Sequence, residues 1–402
     1  MSTYKLTLGP RYYYGMGHSL IAIPSLMVAQ QSNPTGVADK PYRILSLDGG
    51  GMRGFYTARL LARLLTHFEK ERGVGPLDLG KGFDAVAGTS TGAILGFAIA
   101  AGKHPTEVAQ LYKDHGAAIF PRRFPKLSLN PIELYRFVRL YYTANANKTA
   151  LEDRLRAVFG DETMQQLWDR RRLVVTIPAV SIETYGPKVF KTPHLPDLTH
   201  DRAVRVRDVC LSSGAAPLFF PLHQVGIADG YFRDDVFVDG GLWANNPSLV
   251  GLLEAIAVIS AAGPNRPIEI YSFGTCSGTV DRSHLFSNAA GGLKTWRLGK
   301  DITELALSTS ANSMAFMTKL LASTLTKQGW SVSFTRIPDP EMTSQQQAAI
   351  GLDRADDAAI TTMEQLSATN ETRILSDIRN HQSEASRRLA DILNSIPTLT
   401  TK

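Results

Sequence analysis

The run Arg43-Ile44-Leu45-Ser46-Leu47-Asp48-Gly49-Gly50-Gly51-Met52-Arg53-Gly54 narrows the architectures open to this chain more than any other. An apolar, strand-like segment meets three consecutive glycines. It then passes into a helical pattern that keeps Leu60, Leu61, Leu64 and Phe68 along one side. Glycines at a strand-to-helix junction let backbone N–H groups converge with no Cβ between them, which makes a seat for negative charge. Two uses fit it. Gly49, Gly51 and Gly54 satisfy G-x-G-x-x-G, the pyrophosphate cradle of a dinucleotide site. The same N–H groups equally suit an oxyanion hole beside a nucleophile.

A second junction of the same kind follows. Phe83-Asp84-Ala85-Val86-Ala87 reads as a short buried strand and runs directly into Gly88-Thr89-Ser90-Thr91-Gly92. The segment after it, Ala93 to Ala100, reads as an apolar helix rich in small residues. Strand, sharp turn with a serine, helix is the context in which G-x-S-x-G marks a nucleophile elbow, and bulkier flanking residues would clash there. Further on, residues 173–182, Val189-Phe190, residues 236–238 and residues 268–273 read as strands. The strand at 236–238 ends in Asp239-Gly240-Gly241. Strands alternating with helices predict an α/β core with a largely parallel sheet.

Beyond Gly291 the strand signals thin out. Residues 301–325 and 371–393 read as helices, and residues 330–337, where Val332 and Phe334 alternate with polar neighbours, as an edge strand. The expected organisation is an N-terminal extension over 1–40, a catalytic domain over 41–290, and a mainly helical part over 291–402 packed on that domain. Within the extension, Leu20 to Ala29 imitates a secretory apolar core, but Pro24 interrupts it and no clean cleavage site follows. Between Lys103 and Arg172 a basic, aromatic section with Tyr135, Arg136, Phe137, Arg139, Tyr141 and Tyr142 suits an entrance or an anionic membrane surface.

Composition excludes rather than selects. At 44% hydrophobic and 20% charged, the 402 residues fit a globular protein with a sizeable core. The net charge of +6 is too mild to imply nucleic acid, and no DNA or RNA partner is expected. No stretch reaches the roughly 18–20 apolar residues that span a bilayer. Cys210 and Cys276 lack metal-ligand spacing and sit in apolar surroundings, which predicts two reduced core cysteines. No histidine shows metal spacing, so neither metal nor cofactor is expected.

Taken together, Asp48-Gly49-Gly50-Gly51-Met52-Arg53-Gly54, Gly88-Thr89-Ser90-Thr91-Gly92 and Asp239-Gly240-Gly241 resemble the patatin-like phospholipases. Ser213-Gly214-Ala215-Ala216-Pro217, Asn245-Asn246-Pro247 and Ser272-Phe273-Gly274-Thr275 support the resemblance, in the family's order. It covers about Tyr42 to Thr275 and implies a three-layer α/β/α fold with a largely parallel central sheet and added C-terminal helices. It further implies a Ser–Asp dyad, with Ser90 as nucleophile and Asp239 as base, cleaving fatty-acyl esters of membrane phospholipids. Gly49, Gly50 and Gly51 then form the oxyanion hole, with the N–H groups of Gly50 and Gly51 as donors. Arg53 would stand near that hole, where its charge meets a lipid phosphate or faces solvent from the helix start.

Within the family, the chain is similar to phospholipase effectors of antiphage defence that a cyclic dinucleotide activates. That likeness implies a cyclic-dinucleotide activator, a cytoplasmic protein peripheral at the inner membrane when active, and a homo-oligomer among the assemblies expected. Constitutive or secreted lipid hydrolases are the alternatives within the family. Three further readings fit less well. A Ser–Asp–His triad needs a histidine after Asp239, and neither His284 nor His381 stands in a strand-end motif. A dinucleotide-binding oxidoreductase needs an acid after a strand about 20 residues on, whereas Glu69 and Glu71 close a charged helix. A catalytically dead binding module leaves Ser90 and Asp239 without a purpose.

Overall fold

The computed structural model describes residues 40–120, 130–132, 135, 148–225, 235–263, 266–277 and 300–400. The extension before residue 40 and nearly all of the basic, aromatic section between 121 and 147 lie outside the described residues; Tyr135, on the surface, is inside them. β1 (Tyr42–Leu47) is central, parallel to β2 (Ala85–Gly88) on one side and to β7 (Ile268–Phe273) on the other. β3 (Val174–Ser181) extends the parallel set beyond β2, and β8 (Val332–Arg336) extends it beyond β7. β4 (Gly186–Lys191) and β6 (Asp235–Asp239) pair antiparallel with β3, and β5 (His223–Val225) pairs antiparallel with β6.

Twelve helices are described. α1 (Gly54–Arg72), α2 (Thr91–Ala100), α3 (Pro105–Ile119), α4 (Lys148–Phe159) and α5 (Met164–Arg171) precede β3. α6 (Val206–Ser213), α7 (Gly241–Ala244) and α8 (Ser248–Ala262) bracket β5 and β6. α9 (Lys300–Lys327), α10 (Ser344–Ala349), α11 (Asp357–Arg379) and α12 (Glu384–Ser395) follow β7.

The central strands β1, β2 and β7 are buried on both faces, and their side-chain parity sorts the core into two layers. Leu45 and Leu47 of β1, with Tyr271 and Phe273 of β7, pack in one cluster with Phe55 and Leu64 of α1, Phe97 of α2, Leu366 of α11 and Leu389 of α12. Tyr42 and Ile44, with Ile268 and Ile270, pack on the other face against Leu252, Ala255 and Ile259 of α8. Helices on both faces of a mostly parallel sheet make the three-layer α/β/α fold that the sequence implied.

The helix ends follow local chemistry. α1 stops at Gly73, whose φ of 63° is the left-handed C-cap and whose N–H returns to the carbonyls of Glu69 and Lys70. α3 opens with a capping box between His104 and Glu107, with Pro105 at the first helical position. The helix predicted over residues 371–393 is two helices instead. α11 ends at Asn380, His381 adopts a φ of 49°, and Ser383 starts α12 by accepting the Ser386 N–H at 3.0 Å. The left-handed residue and the new cap outweigh the continuous apolar periodicity that suggested one helix.

The part beyond residue 290 also contributes more than a covering. β8 stands at the sheet edge in register with β7, pairing Ser272 with Arg336. A chain ending at Gly329 would leave the β7 edge open and unpaired. Such a chain is expected to elute from size-exclusion chromatography as aggregate; a monodisperse, cooperatively melting product would show that the sheet is complete at β7.

Candidate active site

Ser90 stands where β2 turns into α2, with φ 53° and ψ −118°. A side-chain-bearing residue held in such a sparsely populated region costs about 1–3 kcal/mol and persists only where the surroundings enforce it. Here they do. The Ser90 N–H donates to the Ser213 hydroxyl at 2.9 Å, and that hydroxyl donates to the Pro178 carbonyl of β3 at 2.7 Å. The turn closes through the Gly92 N–H to Thr89 carbonyl bond at 2.7 Å. A Cβ on Gly88 would strike the Gly92 carbonyl, and one on Gly92 would strike the Leu47 carbonyl, which is why the elbow needs both glycines.

Asp239 closes β6 and is 2% exposed. Its N–H donates to the Ala215 carbonyl at 3.1 Å, and the next N–H, of Gly240, donates to the Ser213 carbonyl at 3.3 Å. The segment Ser213–Ala215 therefore ties the serine elbow to the strand end that carries the acid. The Asp239 carboxylate accepts the Gly241 N–H at 2.6 Å, and the Ser90 hydroxyl stands beside it in the cleft. Burial pushes its pKa from 3.8 up to about 6, while the Gly241 N–H and the nearby Ser90 hydroxyl hold it from rising further. A buried acid that is ionised near neutrality and stands beside a serine hydroxyl can act as a general base.

The glycine loop lies opposite. Gly49, expected as part of the oxyanion hole though not as one of its two donors, starts the glycine run. Its N–H is spent on the Asn245 carbonyl at 2.9 Å, while its own carbonyl accepts Asn245 Nδ2 at 3.2 Å. Gly50 and Gly51 do line the cleft with Ser90 and Asp239. The Gly50 N–H donates to the Thr91 hydroxyl at 3.2 Å, a long bond. For the Gly51 N–H no acceptor is found among the described residues. Gly51 holds a φ of +57° against the Leu352 carbonyl, a position a larger residue cannot occupy.

The cleft encloses about 530 Å³ including its open mouth. Its polar groups gather at Ser90, Thr91, Asp239 and Asn245, while Ile94, Phe120, Leu151, Phe219, Phe220, Leu307 and Leu352 make the walls. Such a shape takes an apolar chain with one reacting polar end. Arg53 is 6% exposed, so it does not face solvent, and it is not part of the cleft wall. Its charge acts on the Cys276 thiol instead, and its Nε has no hydrogen-bond partner among the described residues.

Of the two histidines a triad would need, His381 lies on the surface in the link between α11 and α12, and His284 lies outside the described residues. Both cysteines are free and buried, and burial raises both thiols well above their ordinary range. Ser213 and Asn245 were legible as parts of motifs but not as the groups that pin the elbow and the glycine loop. Leu307 and Leu352 carried no signal, because each reaches the cleft from the far end of the chain. Among the described residues no group of side chains could hold a metal ion, and no helix is long and apolar enough to cross a membrane.

Comparison with known proteins agrees with this geometry. Residues 45–250 match the family model described as patatin-like phospholipase. The chain is 32% identical over 273 residues to a cGAMP-activated phospholipase of Vibrio cholerae, covering 66% of this chain and 73% of that protein. It is 30% identical over 353 residues to a cGAMP-activated phospholipase of Pseudomonas aeruginosa, covering 86% of this chain and 93% of that one. A patatin-like protein 2 of Oryza sativa is 31% identical over 240 residues, with 56% and 57% covered.

The raised Asp239 pKa has two measurable consequences. Fluorophosphonate labelling of Ser90 should rise with pH through about 6 and then level, because the base must be ionised. The folded state also keeps a proton that the unfolded chain loses near 3.8, so Asp239 takes stability away as pH rises from about 4 to about 6. Asp239→Asn should therefore melt higher than wild type at pH 8 while the two melt alike near pH 4; equal melting temperatures at pH 8 would contradict it.

Proposed function

The chain belongs to the patatin-like phospholipase family, and from that premise we propose that it hydrolyses fatty-acyl esters of membrane phospholipids through Ser90 and Asp239. One observation carries the reading. A strained serine and a fully buried carboxylate stand together at the polar end of an apolar cleft. In the first step Ser90 Oγ attacks the acyl carbonyl as its proton passes to Asp239. The carbonyl oxygen becomes an oxyanion facing the Gly51 N–H and, once exchanged from Thr91, the Gly50 N–H. Collapse of the intermediate expels the lysolipid alkoxide, which takes the proton from Asp239. Water then attacks the acyl-enzyme, giving its proton to Asp239, and the fatty acid leaves as Ser90 is reprotonated.

An acid with a pKa near 6 suits both halves, since it accepts a proton in attack and releases it to the leaving group. The dinucleotide reading loses its support. Glu69, the acid nearest the expected distance, accepts the Leu77 N–H at 2.7 Å and pairs with His104, far from any strand end. The phosphate role suggested for Arg53 is not part of this proposal, because its guanidinium does not line the cleft.

Two bacterial relatives are named as cGAMP-activated, and one of them aligns with most of this chain. On that ground the proposal extends to a cyclic dinucleotide as activator, to a role in antiphage defence, and to peripheral action at the inner face of the membrane. Purified protein is expected to release little fatty acid from phospholipid vesicles until cGAMP is added. Ser90→Ala and Asp239→Ala should each abolish the activated rate, by about 10³-fold or more. Activity indifferent to every cyclic nucleotide tried would leave a constitutive hydrolase, and near-wild-type turnover in either variant would remove the dyad.

A further inference from the structure

The glycine loop is gripped on both flanks by residues from beyond the family-matched stretch 45–250. Asp48, the residue that starts the loop, is 2% exposed. Arg336 of β8 meets it with a fork: Nη1 donates to Oδ1 at 2.9 Å and Nη2 to Oδ2 at 2.6 Å. The same Nη1 also donates to the Ser272 hydroxyl at 2.8 Å. The β7–β8 register, with Ser272 opposite Arg336, fixes where that fork stands. On the other flank the Leu352 carbonyl accepts the Met52 N–H at 2.9 Å. Between these two anchors lie Gly50 and Gly51, which face the cleft.

The grip is extended by further bonds. Ser272 also accepts Asn246 Nδ2 at 2.9 Å, and Asn246 neighbours Asn245, which holds Gly49. Arg336 thus touches the two elements that flank the loop, β1 through Asp48 and β7 through Ser272. Removing it would leave Asp48 as a buried carboxylate facing only the like charge of Asp339, an arrangement that a structure relieves by moving the charged segment. The segment free to move is the one made of three glycines.

We propose that Arg336 is the positioning residue of the oxyanion loop: its fork on Asp48 sets the direction of the Gly50 and Gly51 N–H groups, so the C-terminal edge strand governs acyl transfer at Ser90. The inference rests on the Ser90–Asp239 reading above. A lysine keeps the charge but not the planar two-point fork, so a purely structural ion pair and a positioning device predict different outcomes for it.

The test compares wild type, Arg336→Lys, Arg336→Ala and Ser90→Ala as full-length proteins, each with its melting temperature and its fraction folded. Phospholipid-vesicle hydrolysis, with cGAMP present if wild type needs it, yields kcat and KM; fluorophosphonate labelling gives an independent rate. Arg336→Lys is expected to fold and to lose roughly 10²-fold in kcat, the scale of one misplaced oxyanion donor, with KM nearly unchanged. The labelling rate should fall in parallel. Millimolar methylguanidinium should restore part of the activity of Arg336→Ala, since the Arg336 side chain is 28% exposed and its site can be reached. A folded Arg336→Lys with kcat and labelling rate within about twofold of wild type would overturn the proposal. So would losses that follow the unfolded fraction alone. Activity surviving in Ser90→Ala would instead remove the underlying reading, which keeps the two failures apart.

Discussion

Asp239 holds a carboxylate out of water with no cation beside it among the described residues, and the arrangement of the site follows from that constraint. An isolated buried charge is costly, so the group needs hydrogen bonds that favour its ionised form. The Gly241 N–H supplies one at 2.6 Å and the Ser90 hydroxyl stands close enough to help, yet burial still leaves its pKa at about 6. The Gly241 N–H is available because β6 ends at Asp239 and the chain turns at once into a short helix. The Ser90 hydroxyl is available because the elbow lifts it off the end of β2. On the proposed reading a base of this kind needs no imidazole between itself and the serine, and among the described residues no histidine lines the cleft.

Asp48 makes an instructive contrast. Burial raises it also to about 6, although Arg336 makes two direct bonds to it. Near-equal values arise from unlike environments: one acid is supported by neutral donors, the other by a guanidinium and opposed by Asp339. Of the two, Asp239 is the one that shares the cleft with the Ser90 hydroxyl. The shift by itself does not identify the base; its partners do.

Much of this was legible in the sequence, for a physical reason. The elbow, the glycine run and the strand-end acid are each local: a strand meets a helix, and sterics restrict which residues stand at the joint. Such constraints leave runs such as Gly88-Thr89-Ser90-Thr91-Gly92 that can be read without knowing what packs nearby. What the sequence concealed is long-range. That the Gly49 N–H is consumed depends on Asn245, 196 residues away. That Leu307 and Leu352 wall the cleft depends on how the last hundred residues cross the sheet. Arg336 looked like the end of an edge strand, and nothing in its neighbours signalled the carboxylate 288 positions earlier. The break between α11 and α12 was hidden differently, because apolar periodicity continued across a cap whose signal, Ser383 with Ser386, is short.

The ambiguity of the glycine run can now be resolved by counting donors. A pyrophosphate cradle spreads several loop N–H groups around one large anion. Here the Gly49 N–H is bound to Asn245, the Met52 N–H to Leu352 and the Arg53 N–H to the Gly50 carbonyl. What remains is the Gly51 N–H, with Gly50 held by one long bond to Thr91. Two adjacent donors match the single oxygen of a tetrahedral intermediate and are too few for two phosphates. Thr91 adds a further refinement, since its hydroxyl accepts the Gly50 N–H at 3.2 Å. Under the proposed mechanism that long bond costs little to exchange, so the Gly50 N–H can turn to the oxyanion as charge develops beside it.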